Sequence, residues 1–69
     1  MKIVITLTAN GTDQKLGASS VAAAQAVVMG FCHALAVPHH FSPQTLKERK
    51  AASQHYLTRN ASWHAEITG

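Results

Sequence analysis

Gln54-His55-Tyr56-Leu57-Thr58-Arg59-Asn60-Ala61-Ser62-Trp63-His64-Ala65-Glu66-Ile67-Thr68 is the stretch whose reading decides the fold. Residues 62–68 alternate, with Trp63, Ala65 and Ile67 on one face, which is the period of a half-buried strand. Residues 54–59 read in two ways. Tyr56 and Thr58 alternate and Asn60-Ala61 makes a turn-like break, so residues 54–59 and 62–68 form a C-terminal hairpin. If residues 54–59 instead prolong the helix before them, the order becomes β-α-α-β. The alternation favours the hairpin. Trp63 and Tyr56 then belong to the core, because a hairpin needs large side chains to cover a helix and the chain holds few others.

Working upstream, Ser42-Pro43 marks a helix start, with Ser as the cap and Pro at the first position. The helix that follows is basic, with Lys47, Arg49 and Lys50 around Glu48, and its apolar stripe of Leu46, Ala51 and Ala52 is thin. Val37-Pro38 closes an earlier helix, since the residue before Pro is driven out of the α region, and His39-His40 begins a loop. That earlier helix runs from a cap at Ser19 or Ser20 to Ala36. Val21, Ala24, Val28, Phe31 and Leu35 share its apolar face, with Val27 and Cys32 at the margins. Its other side (Ala22, Gln25, Ala26, Met29, His33, Ala36) is small and weakly polar, open to close approach by a second surface.

At the N-terminus residues 2–8 alternate strictly, with Ile3, Ile5 and Leu7 on one face and Val4, Thr6 and Thr8 on the other. Asn10-Gly11 supplies the two left-handed positions of a type I′ turn. A return strand over residues 12–16 would pair Leu7 with Gln14 and Ile5 with Leu16, leaving Thr6 and Thr8 opposite Lys15 and Asp13 on the wet face. The expected architecture is a single α+β domain spanning residues 1–69. Its antiparallel sheet has three strands, or four with the weakly patterned return strand, packed on one main helix in the order β-(β)-α-α-β-β.

Composition bounds the function. Sixty-nine residues exclude a large enzyme core. Apolar content of 46% with only 13% charged residues excludes a disordered polyelectrolyte, and a mean hydropathy near zero excludes a membrane protein. The apolar run 21–37 carries Gln25, Gly30 and His33 and is shorter than the roughly 20 residues that cross a bilayer. No secretory signal pattern follows Met1-Lys2, so a cytoplasmic location is expected and the two Asn-x-Ser/Thr sequences are simplest as turns. One Cys rules out an intrachain disulfide. Chains below about 70–80 residues draw only ~3–5 kcal/mol from one core, which favours a partner or a homodimer through the Ala-rich helix face or a sheet edge.

Catalytic patterns do not emerge. Only Asp13, Glu48 and Glu66 are acidic, no phosphate-loop, nucleophile-elbow or zinc-protease motif occurs, and Cys32 lies in an apolar run as a small hydrophobe. Five His and one Cys lack the pairwise spacing of a metal site, so neither metal nor other cofactor is expected. Full protonation of the His residues would raise the formal charge from +3 to +8, that is 3 plus 5, and strengthen attraction to an acidic partner. The expected function is a non-enzymatic protein–protein interaction module. Its small, motif-free format is shared with phage and mobile-element inhibitors of host machinery, anti-CRISPR proteins among them. The alternative is a basic nucleic-acid-binding protein making non-specific phosphate contacts. On either reading Lys47, Arg49, Lys50 and Arg59 are the contact residues.

Overall fold

β-Branched alternation at the N-terminus becomes β1 (Ile3–Ala9), whose Ile3, Ile5 and Leu7 are buried while the residues between them stay partly open. The computed structural model describes residues 1–55, 57 and 60–69. Asn10 and Gly11 take φ of 53° and 78°, as a type I′ turn requires, and return the chain as β2 (Thr12–Ala18). Ile5 faces Leu16, Leu7 faces Gln14, Thr6 faces Lys15 and Thr8 faces Asp13, the register expected from the turn. The return strand therefore forms, and it runs two residues beyond the expected end.

Ser20 caps α1 (Val21–Ala34), its hydroxyl accepting the Ala23 N–H at 3.1 Å. Val21, Ala24, Val28 and Cys32 form the buried row; Cys32 lies deeper than Phe31, which sits at the flank. The helix ends two residues before Ala36. Leu35 caps it, Ala36 enters the left-handed region at φ 57°, and the Ala36 and Val37 amides donate to the His33 and Cys32 carbonyls, both at 3.0 Å. This is a Schellman ending with Ala where Gly is usual. It stops the helix before the Val37-Pro38 restriction acts.

The second helix, α2 (Pro43–Arg49), is shorter than its stripe implied. Lys50 adopts φ 63°, which ends the helix and turns the chain directly into β3 (Ala51–Gln54). Ala51 and Ala52 are strand residues, not helical ones, and β3 begins three residues before the expected position 54. The Lys50 carbonyl accepts the Ile67 N–H at 2.9 Å, which starts pairing with β4 (Ala61–Ile67) at the helix terminus itself. Tyr56, Thr58 and Arg59 lie outside the described residues, and with them the expected alternation and the core placement of Tyr56.

All strands pair antiparallel in the order β2-β1-β4-β3, so the chain is α+β with the expected element order. Both helices lie on one face. The core joins Ile3, Ile5 and Leu7 to Val28, Leu46, Phe41 and Trp63, with Ala65 and Ala24 admitting close approach of sheet and helix. Trp63 is 1% exposed, as expected of a core residue, and stacks tilted on Phe41 at 5.5 Å. The other face is open: Lys15, Thr6, His64 and Ser53 form one row across it. Glu66 projects on this face, as its place in the alternation implied.

Candidate binding surface at the α2–β3 corner

Ser42 begins the corner by accepting the Thr45 N–H at 3.3 Å, while Pro43 presets the first helical turn. Leu46, fully buried, fastens this short helix to the core. With Leu46 inward, Lys47, Glu48, Arg49 and the capping Lys50 are exposed. Glu48 accepts from the Gln44 side chain at 2.9 Å. Among the described residues the one ion-pair geometry is His64–Glu66 at 3.3 Å, so no carboxylate there neutralises Lys47, Arg49 or Lys50. Cations in the last turn also complement the negative end of the helix dipole.

Ser42, Thr45 and Arg49, spaced as one helical face, look across a groove of about 270 Å³ at Ala51, Ala52 and Ser53 of β3. His40 closes one end and the edge of Trp63 forms part of the lining. The bond from Ile67 to Lys50 fixes which β3 groups are used. Lys50, Ala52 and Gln54 direct their backbone groups toward β4, so those of Ala51 and Ser53 point away from the sheet. Among the described residues, then, the outward edge of β3 faces a groove that holds Arg49, with Lys47 and Lys50 exposed nearby and in no ion pair.

Gln54 ties the corner together. Its Oε1 accepts the buried Trp63 indole N–H at 2.9 Å and the His40 backbone N–H at 3.3 Å, joining β3, β4 and the loop between the helices. The sequence named Lys47, Arg49 and Lys50 and an unspecified sheet edge as contacts, but not Ser42, Thr45 or His40, nor residues 51–53 as that edge. Only Ser42 carried a signal, as a helix cap. Arg59 lies outside the described residues.

Elsewhere a larger hollow of about 550 Å³ lies beside the two turns, lined by Thr8, Asn10, His55, Asn60 and Ser62. Among the described residues no charged groups converge on it, and the Asn10 N–H bond to the Asn60 carbonyl at 3.1 Å gives those turns a structural role. Cys32 is buried, and burial pushes its thiol pKa up, which keeps it protonated and poorly nucleophilic. The His residues are dispersed, and among the described residues no three of His, Cys, Asp or Glu come together as metal ligands. Among those residues, too, no helix is long and apolar enough to cross a membrane. No protein-family model matches the chain, and neither a curated protein nor a solved structure matches it.

Proposed function

We propose that this chain is a non-enzymatic interaction module of the cytoplasm whose α2–β3 corner docks an acidic, extended segment of a partner protein. The observation that carries this reading is Arg49 in the groove beside β3, whose Ala51 and Ser53 turn their backbone groups outward, with Lys47 and Lys50 exposed on the same short helix and its cap. An extended segment adding to β3 would gain main-chain hydrogen bonds, and carboxylates along it would meet the cations. Duplex nucleic acid uses the cations but has no need of the strand edge, so the combination favours protein. A surface covered in this way is blocked to other ligands, which is how an inhibitor of phage or mobile-element format would act. Homodimerisation belongs to the same class of non-catalytic function.

A pulldown from nuclease-treated lysate tests the assignment. The expected result is one protein retained in defined stoichiometry and lost when Lys47, Arg49 and Lys50 are all replaced by Glu. Affinity for arbitrary duplex DNA or RNA, falling steeply between low and physiological salt, would replace this reading with phosphate binding. A reproducible turnover abolished by Cys32→Ala would replace it with an enzyme.

A further inference from the structure

The opposite edge of the sheet poses a separate question. β2 is an outer strand with seven residues and no proline, exposed over Thr12–Lys15, with Leu16 and Ala18 half-buried against the core. Edges of this kind recruit further strands unless something blunts them. The pairing of β1 with β2 around a two-residue turn directs the backbone groups of Thr12, Gln14, Leu16 and Ala18 toward β1. Those of Asp13, Lys15 and Gly17 therefore point outward. The side chains of Asp13 and Lys15 project on the open face, and the Thr8 hydroxyl fixes Asp13 by donating to its Oδ1 at 2.9 Å.

We infer that β2 is a self-complementary edge at which two copies of this chain join antiparallel into one continuous eight-stranded sheet, with Asp13 of each copy opposite Lys15 of the other. Charge selects that register. Only residues with outward backbone groups can form the new hydrogen-bonded pairs, so Asp13, Lys15 and Gly17 must meet one another across a two-fold axis. One alignment sets Asp13 against Asp13 and another sets Lys15 against Lys15, and like charges directly opposite destabilise a ladder. Two others, Lys15 against Gly17 and Gly17 against Gly17, pair no charges. The alignment of Asp13 with Lys15 forms the same ion pair twice and places Gln14 beside Gln14. A single Lys is the usual guard on an edge strand; here the partner's Asp13 neutralises it. The axis stands perpendicular to the sheet, so both copies of α1, which packs on β1 and β2, remain on one face.

The test is sedimentation equilibrium of the full chain over a concentration series, beside amide exchange. Wild type should approach about 15 kDa, twice 7.4 kDa, and exchange at the Asp13, Lys15 and Gly17 amides should slow as concentration rises. Asp13→Lys and Lys15→Asp should each weaken self-association by roughly tenfold or more, since each turns two attractions into repulsions. Mixing these two variants should restore a dimer. The first then carries Lys at both positions and the second Asp at both, so each of the two pairs across the axis again joins opposite charges. Circular dichroism checks that each variant is folded, and the exchange data on wild type stand independently of the variants. A monomer at every concentration, a dimer indifferent to both substitutions, or failure of the mixture to associate would each overturn the proposal. Lys47, Arg49 and Lys50 are intact throughout, so the outcome is independent of the α2–β3 reading.

Discussion

The two hairpins of this sheet are held by different kinds of information. In β1–β2 the turn lies between strands of equal length, and Asn10 and Gly11 set the register through their own backbone conformations. In β3–β4 the strands are unequal, residues 55–60 separate them, and both ends of β3 are held by contacts from outside that connection. Lys50 anchors one end through its carbonyl, and Gln54 anchors the other beneath Trp63. A hairpin fixed by its turn should survive damage to the core better than one fixed by its packing. The difference can be broken by substitution at the residues that carry it.

Trp63→Ala should have the largest effect. It removes the biggest fully buried side chain together with its contact to Phe41, at a cost of ~3–5 kcal/mol, comparable to the whole stability of a domain this small. Urea denaturation followed by circular dichroism should show the variant largely unfolded in buffer; a midpoint within about 0.5 M of wild type would remove Trp63 from its central place. Gln54→Met separates the hydrogen bonds from the packing. It leaves the indole N–H and the His40 N–H without their shared acceptor, costing about 1–3 kcal/mol. Amide exchange should accelerate first at His40 and along β3, with Leu7 and Gln14 lagging. Equal acceleration in both hairpins would show that the sheet opens as one unit.

This contrast also explains what could be read before folding. Residues 2–11 follow local rules, so alternation and the Asn-Gly pair gave the first strand, its faces and the register of a return strand whose own pattern is weak and whose end at Ala18 was not legible. Nothing local marks Ala51-Ala52-Ser53 as a strand, because Ala and Ser carry little β preference and these residues are ordered by pairing with β4. Nor does Lys advertise a left-handed helix stop, a position that Gly or Asn usually takes. The same holds for the site. The cations of α2 are adjacent in sequence and were legible, whereas the groove needs His40, Thr45 and the β3 edge to meet through the fold.

Gly11→Ala probes the turn-fixed hairpin alone. A side chain would meet nothing within 4 Å, so sterics with neighbours are irrelevant and the cost is the backbone conformation at φ 78°. The expected loss is about 1 kcal/mol, read as a lower melting temperature with β3–β4 exchange unchanged relative to global stability. No loss would mean that packing also dictates the first hairpin, and the distinction between the two would collapse.

The smallest effect has the opposite sign. Ala36 and Lys50 are helix-terminal residues held at φ 57° and 63°, where a Cβ is disfavoured. Glycine relieves that strain but gains more freedom when unfolded, so Ala36→Gly should stabilise by only about 0.5 kcal/mol. Lys50→Gly should stabilise similarly while deleting one of the three cations at the corner, which separates two roles of the same residue. If Lys50 serves as a turn alone, Lys50→Gly and Ala36→Gly will both raise the melting temperature and leave acidic-peptide binding unchanged. If it also meets the partner, Lys50→Gly will raise the melting temperature and weaken binding, measured by titration calorimetry, whereas Ala36→Gly will only raise the melting temperature. The second pattern is the one expected from its exposure beside Arg49.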